Sequence, residues 1–588
     1  VKEKLSQKTP MMIQAPTGLG KTLGILYPAL EESLGRGQRV IYVTPKNSQQ
    51  AVAEEAVMKF QDGGSRIKSL TLTAKSKLCF KAEPLCDPEY CEFAKDHYDK
   101  LHAHDLKGEL LKKKRITARV VKNLAKKHEV CPFELQLEAA SEMDVIIGDY
   151  NYVFSNRSVL NRLSEIEVDQ VGKSNLVIDE AHNLPHRAMS YYSPSLSLGT
   201  LLKFKEEALE LPKKFRSLAI DIIDSGIKVL QDLRPKSGRS ELIDLSIEPF
   251  LLVEDDLRKF LSKYLDSSVE IKPRDVVLRA VFYWSAFTEI LGQVLGQDQS
   301  EFFISYQVTG RESSIKITCC DASGMLRSKY EAYENVIAFS ATLKPFSYYS
   351  QLSGLKQNHL STQEFLSPFN PEKRKILIIP QISTRFSERE KSYSRIAETI
   401  FRVTSLRSGN YLALFPSFDF LEKTLNFLKV PEGFRIIRQE RTMKNESVQE
   451  VLEILRSGER PTIVLAVQGG HFSEGVDYPG DMLIGSFVVG PPLPHFDFER
   501  EKMKEYYEKS YQQGFEYAYT FPAMAKAIQS AGRVIRTEND RGLIILMDDR
   551  FLEPKYYQSM PTDWYQETPK ELVSSSILGD LTEFWKRG

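Results

Sequence analysis

Ala15-Pro16-Thr17-Gly18-Leu19-Gly20-Lys21-Thr22 is the stretch that decides the fold. An apolar run, Met11-Met12-Ile13, leads into a turn containing two glycines, and Lys21-Thr22 then opens a predicted helix. Such a turn aims backbone N–H groups, around Thr17, Gly18 and Gly20, at the phosphates of a nucleoside triphosphate. Lys21 supplies a fixed positive charge to the β and γ oxygens, and the Thr22 hydroxyl can ligate Mg²⁺. The first glycine of the usual pattern is Ala15 here.

A second feature fits the first. Leu176-Val177-Ile178 is short and apolar, as a buried parallel strand should be. It ends in Asp179-Glu180-Ala181-His182. A carboxylate at the C-terminal end of such a strand belongs beside the phosphate site of a doubly wound sheet. Asp179 is the candidate Mg²⁺ ligand and Glu180 the group that polarises the attacking water. Phosphoryl transfer asks little more of a protein than positioned positive charge.

That charge is expected from Gln529-Ser530-Ala531-Gly532-Arg533-Val534-Ile535-Arg536. Arg533 and Arg536 stand three apart on a predicted helix, so both point the same way. They read as arginine fingers, with Gln529 in the same catalytic set. Gly469-Gly470-His471-Phe472-Ser473-Glu474-Gly475-Val476-Asp477 follows a predicted strand at Ile463–Val467. Gly475 and Asp477 are candidate nucleotide contacts. Asp477 is suited to accept hydrogen bonds from the ribose or to couple to Ser340 and Thr342.

The chain has 588 residues, enough for several cores, and its 79 basic residues balance 79 acidic ones. Balance excludes a polybasic binder but not a local nucleic-acid groove. No signal peptide and no apolar run of about 18 residues is present. The expected location is the cytoplasm of a bacterium or the nucleus of a eukaryote. A strand arrives almost at once, so upstream sequence is expected to be missing from this chain.

Of six cysteines, Cys319 and Cys320 follow a strand-like run and read as small core residues. Cys79, Cys86, Cys91 and Cys131 cluster before the acidic motif, separated by 6, 4 and 39 residues. Four thiols suit an iron–sulfur cluster or Zn²⁺; paired Cys-x₂-Cys knuckles of common zinc sites are absent. A basic helical section, Lys112-Lys113-Lys114-Arg115 through Lys126-Lys127, lies beside them. From about 195 to 300 strands are expected to disappear. Leu257, Phe260, Leu261 and Tyr264 mark one face of an amphipathic helix there. A hairpin at Phe302–Val308 and Ile315–Thr318 follows, then Val336–Phe339 running into Ser340-Ala341-Thr342. A second α/β unit is expected from about 360, with strands at Ile376–Ile379, Leu412–Phe415, Ile463–Val467, Phe487–Val489 and Leu543–Met547.

Seven motifs stand in one order: the phosphate loop at 15–22, Thr44-Pro45-Lys46, Asp179–His182, Ser340-Ala341-Thr342-Leu343, Phe415-Pro416-Ser417, Glu474–Asp477 and Gln529–Arg536. In that order the chain resembles superfamily 2 helicases, and within them the XPD/DinG family of iron–sulfur DNA helicases. Asp149-Tyr150-Asn151-Tyr152 and Cys131-Pro132-Phe133 also look like that family. The resemblance implies an α/β fold with two RecA-like motor domains, an inserted iron–sulfur domain and an inserted helical, Arch-like domain. The implied boundaries are 1–78, 136–195 and 301–358 for the first motor domain, 79–135 for the iron–sulfur domain, 196–300 for the helical insertion and 359–588 for the second motor domain. It implies ATP, Mg²⁺ and a [4Fe–4S] cluster on Cys79, Cys86, Cys91 and Cys131. It further implies a monomeric motor that moves 5′-to-3′ on single-stranded and forked DNA, in repair or fork maintenance, and no membrane partner. A remodelling ATPase that grips nucleic acid without unwinding it, and an RNA-directed motor, are the alternatives.

Overall fold

The structure is a computed structural model describing residues 1–81, 83–86, 88–156, 158, 160, 173–267, 269, 271–296, 300–310, 312–356, 359–473, 476 and 478–587. The backbone divides into two units. The first holds Val1–Met11, Ile25–Ala338 and Gln351–Leu360; the second holds Met12–Gly24, Phe339–Ser350 and Ser361–Gly588.

In the second unit, six parallel strands lie in the order Arg374–Ile378, Gly542–Met547, Gly485–Val489, Tyr411–Phe415, Thr462–Val467, Arg435–Arg438. Successive side chains of a strand face opposite sides, so each apolar run feeds two cores. Leu412, Leu414, Val464, Ala466, Ile544 and Leu546 pack on one face against helices that include Asn445–Ser457 and Phe521–Ala531. Tyr411, Ala413, Phe415, Ile463, Leu465, Leu543 and Ile545 pack on the other, under Arg389–Thr404 and Ile577–Lys586. Both faces are covered, as a parallel sheet requires. The edge strand Arg435–Arg438 escapes a reading based on apolar runs because arginines flank its two isoleucines. The C-terminal strand ends carry the loops after Phe415, Val467, Val489 and Met547, where ligands bind in such sheets. The same unit contains Met12–Gly24 and Phe339–Ser350. There the Ala15 N–H donates to the Ser340 carbonyl at 2.9 Å, and the Phe365 N–H donates to the Gln14 carbonyl at 2.8 Å.

In the first unit the strands run Tyr333–Ser340, Ser174–Asp179, Val40–Thr44, Val145–Asp149, Ser69–Thr71, Arg115–Ile116. Val40–Thr44 pairs in parallel with both Val145–Asp149 and Ser174–Asp179. The basic section is not one helix. Ile116 is drawn into the sheet edge and fully buried, pairing with Leu70, so the helices stop at Leu111 and resume at Ala118.

Four helices, Leu198–Ala208, Lys213–Asp232, Glu248–Leu265 and Val276–Leu295, form the insertion. Phe250, Trp284 and Phe287 fill its centre, and the Trp284 indole N–H donates to the Phe250 carbonyl at 2.9 Å. Leu257, Phe260 and Tyr264 face inward at their helical spacing. Strands do not vanish from 195 to 300. Ser195–Ser197 and Glu241–Leu242 flank the hairpin Phe302–Thr309/Glu312–Cys319 in a four-stranded antiparallel sheet. Each is two or three residues long and carries Ser or Glu, so neither shows as an apolar run.

Candidate nucleotide and cysteine sites

In the second unit the phosphate loop ends the buried strand Met11–Gln14. Gly18 and Gly20 take φ of +87° and +72°, a region that a Cβ makes costly. A Cβ on Gly18 would also lie 2.1 Å from Phe369 Cζ and 3.1 Å from the Arg536 carbonyl. Nothing stands within 4 Å of the corresponding position on Gly20, so the loop is open on that side. The helix Lys21–Gly35 starts there, and a helix N-terminus favours an anion. The Lys21 ammonium donates to the Pro16 carbonyl at 3.3 Å, inside its own loop, and Thr22 is partly exposed. This glycine geometry, with an open cradle at a helix N-terminus, fits a triphosphate.

Three further motifs converge in this unit. The Gln529 amide donates to the Thr342 hydroxyl at 3.2 Å, joining the C-terminal motif to Ser340-Ala341-Thr342. Arg533 donates from Nε to the Ser473 carbonyl and from Nη1 to the Val476 carbonyl, both at 2.8 Å. The guanidinium thereby braces the loop that follows Thr462–Val467. The backbone N–H of Arg536 donates to Asp540 at 2.6 Å, and its carbonyl faces Gly18. Burial pushes the Tyr478 hydroxyl well above the usual phenol range, against the pull of Arg533 and Arg536. The arginines are not on a helix. Phe521–Ala531 ends at Gly532, and the Asp540 carboxylate takes the N–H groups of Arg536 and Thr537 that a continuing helix would have used. Gly475 and Asp477 lie outside the described residues.

In the first unit, Asp179 is the last residue of Ser174–Asp179 and is buried. Its carboxylate accepts from the Tyr42 hydroxyl and from the Glu180 N–H, each at 2.8 Å. The Tyr150 hydroxyl donates to its carbonyl at 2.5 Å. Burial, then the nearby Asp179 and Glu180 carboxylates, raise the Tyr150 hydroxyl well above its usual range, so it stays a donor. Glu180 has φ of +51°, a strained value for a side chain of its size. Its carboxylate is held by Gln49 Nε2 at 3.0 Å and by His182 Nδ1 at 3.4 Å. The sequence gives Tyr42 and Gln49 no role, and places His182 only as the last residue of the acidic motif. Their only signal is position: Tyr42 in a strand beside the acidic one, Gln49 just past Thr44-Pro45-Lys46.

Also in the first unit are the four cysteines. Cys91 and Cys131 are buried, Cys79 is half-buried and Cys86 exposed. Cys79 closes the helix Lys75–Leu78, and Cys131 caps Pro132–Ala140. Burial pushes the Cys79 thiol up, with Cys91 and Cys86 adding to the rise. Burial likewise raises Cys131, and Cys86 contributes there. Cys86 thus acts on both Cys79 and Cys131. Lys75 hydrogen-bonds Cys86 and lies 5.3 Å from the Phe133 ring centre. Among the described residues no three His, Cys, Asp or Glu side chains stand close enough to hold one metal ion. The donor set suits a thiolate-bound group, and its spacing here is wider than ligation needs.

Comparison with known proteins agrees with this geometry. Three family models match: a helicase C-terminal domain over residues 400–567, DEAD_2 over 43–201 and DEAD/DEAH box helicase over 1–80. Together these matches support an XPD/DinG-type superfamily 2 helicase. It is 22% identical over 573 residues to the ATP-dependent DNA helicase XPD of Sulfolobus acidocaldarius, covering 93% of this chain and 94% of that one. To the ATP-dependent DNA helicase YoaA of Haemophilus influenzae it is 24% identical, covering 99% and 93%. A solved XPD helicase superposes with a TM-score of 0.63 at 18% identity, covering 95% of this chain and 96% of that one, which bears on the fold. The α/β fold with two RecA-like domains is that of this helicase family. Among the described residues no helix is long and apolar enough to cross a membrane.

Proposed function

We propose that this chain is an ATP-dependent DNA helicase that hydrolyses ATP and converts the cycle into movement along single-stranded DNA. The observation that carries this reading is the convergence in the second unit. The open phosphate loop at Gly18–Gly20 meets the Arg536 backbone, while Gln529 grips Thr342. A loop of this form binds phosphates, and the facing motifs can respond to whether a γ-phosphate is present. Lys21 moves from the Pro16 carbonyl to the phosphates on binding. Glu180, held by Gln49 and His182, orients the attacking water. Thr22 and Asp179 are each read as an oxygen donor for Mg²⁺, as their motifs imply. Gly475 and Asp477 are read as nucleotide contacts, as the motif implies.

The direction is proposed as 5′-to-3′, on family resemblance, with single-stranded and forked DNA as substrate and a monomer as the working unit. Cys79, Cys86, Cys91 and Cys131 are proposed to hold a [4Fe–4S] cluster, which would tie together the segment that carries them. The nearness of Cys86 to both Cys79 and Cys131 supports this.

The test is strand separation with 5′-tailed and 3′-tailed duplexes of DNA and RNA, beside ATP hydrolysis. DNA-stimulated hydrolysis with unwinding of the 5′-tailed DNA duplex is expected, and Lys21→Ala should abolish both. Stimulated hydrolysis without unwinding would make the chain a remodelling ATPase; preference for RNA would make it an RNA motor.

A further inference from the structure

Between the sheet strand Gly485–Val489 and the helix Phe498–Tyr511 runs Gly490-Pro491-Pro492-Leu493-Pro494-His495-Phe496. None of the sequence motifs falls in it. Three prolines fix φ along the loop, and the first two are buried, so the loop presents its end rigidly. That end is Phe496, 58% exposed. Its inner face rests on the fully buried Tyr519, with ring centres 4.6 Å apart and planes within 20°. Phe515 lies 5.1 Å from Tyr519 and 6.5 Å from Phe496, each at 30°. Three near-parallel rings thus form one block whose outermost face is open.

The block is held still. The Tyr519 hydroxyl donates to Glu501 at 2.7 Å, and Glu501 is ion-paired to Lys504. Burial and the Glu501 bond keep that hydroxyl protonated. Phe515 caps, and Tyr519 lies within, a five-residue π-helix, Glu516–Thr520, a turn type concentrated at functional sites. The π-helix continues directly into Phe521–Ala531, the helix that carries Gln529. Cationic groups stand around the block. Lys555 Nζ is 5.7 Å from the Phe515 ring centre, and the positive charge of Arg500 acts on the Tyr519 hydroxyl. Asp497, the nearest acid in sequence, is engaged as the cap of Phe498–Tyr511, accepting from the Arg500 N–H at 2.8 Å.

We infer that the open face of Phe496 is a stacking platform for one base of single-stranded DNA, with Lys555 and Arg500 drawing in the adjacent phosphates. This rests on the helicase reading above and names a grip residue within it. A flat, rigid, outward aromatic face flanked by cations matches a nucleobase on its phosphate chain. An apolar protein partner would want a broader, uncharged surface. Because the block leads into the helix of Gln529, base stacking and the state of Thr342 share one rigid element.

The test uses the full chain and a single-stranded oligonucleotide, with binding read by fluorescence anisotropy. Phe496→Ala should weaken binding roughly five- to a hundredfold, the range for losing one base–aromatic stack. Phe496→Trp should bind like the parent. On an oligomer of equal length made wholly of abasic nucleotides, parent and Phe496→Ala should bind alike. An oligonucleotide with 2-aminopurine scanned along it should show one position quenched by the parent and not by Phe496→Ala. Equal affinity of parent and Phe496→Ala for ordinary DNA would overturn the platform. An equal loss on abasic and ordinary oligomers would do the same, since it reports general disturbance. A parent protein that binds no single-stranded DNA would overturn the helicase reading, and the platform with it.

Discussion

Arg533 and Arg536 divide a task that their sequence spacing makes look shared. Arg533 spends two donors on the Ser473 and Val476 carbonyls, whereas Arg536 meets the phosphate loop through its backbone. Lysine cannot reproduce a two-pronged guanidinium contact, because its ammonium is a single point. Arg533→Lys should therefore loosen the 473–476 loop and lower kcat, and Arg533→Ala and Arg536→Ala should each cost on the order of 10³ in kcat if both reach the transferring phosphate. Steady-state ATP hydrolysis at saturating DNA reads this directly. An unchanged kcat for both alanine variants would remove the arginines from the chemistry. A different outcome is expected of Glu180→Gln, which keeps the Gln49 contact possible but removes the charge that polarises water. Filter-binding should show retained ATP with hydrolysis lost. The chemical identity of these residues was legible in the sequence because Lys, Thr, Asp, Glu and Arg were set in fixed spacings. Their supports were not. Tyr42, Tyr150 and Gln49 reach Asp179 and Glu180 only after three strands pair in parallel, and no local pattern announces that.

At the scale of elements, strands buried on both faces were readable wherever the run was continuous and apolar, as at Leu412–Phe415 and Leu543–Met547. They failed to show where one or two residues sufficed to pair, as at Arg115–Ile116 and Glu241–Leu242. The helix expected to carry Arg533 ends early because Gly532 propagates poorly and Asp540 offers the following N–H groups another acceptor. A comparable side-chain device joins the strand Gly542–Met547 to the segment after Arg374–Ile378. Asp548 is fully buried, receives Arg550 Nε at 2.8 Å and accepts the Thr384 N–H and hydroxyl at 2.8 and 2.6 Å. Burial alone would raise its carboxyl, but the Arg550 guanidinium and the Thr384 hydroxyl outweigh it and hold it below the usual carboxylate range. A carboxylate depressed in the folded state stabilises above its unfolded value, and that contribution fades as pH falls through the folded one. Asp548→Asn should therefore lower stability at neutral pH by about 3–5 kcal/mol, since it strands Arg550. The gap to the parent should narrow on acidification below pH ~4. Denaturant unfolding at pH 7 and pH 3 measures it, and a gap independent of pH would mean that the pair is not ionised as drawn.

For the whole molecule, the question is whether the cysteine-bearing segment contributes to the motor or to what the motor does with DNA. Two cores of the second unit close on their own strands and helices, and among the described residues none of theirs comes from 79–131. Cys131 packs in a small cluster with Leu78 and Phe133, with Ala118, Leu137 and Tyr152 against it. The segment also buries Leu101, Leu106, Leu110, Ile116 and Val121, and burial of Cys79 and Cys131 disfavours their thiolates unless something positive shares the charge. Lys75, bonded to Cys86, supplies one compensating charge, and a thiolate-bound iron–sulfur group would supply more. Cys131→Ser should then lose iron and acid-labile sulfide and cut unwinding strongly. DNA-stimulated ATP hydrolysis should fall less, because, among the described residues, these cores of the second unit draw nothing from this segment. The measurement is iron, sulfide and zinc per chain for the parent and for each of the four Cys→Ser variants, beside unwinding and hydrolysis rates. Stoichiometric zinc without sulfide in the parent would replace the cluster with a zinc site. Full unwinding by a metal-free Cys131→Ser protein would deny the segment a mechanical part, whatever it binds. Hydrolysis collapsing in step with unwinding would place the cysteine segment inside the ATP cycle, and the separation of motor from DNA-handling segment argued from the cores would then be wrong.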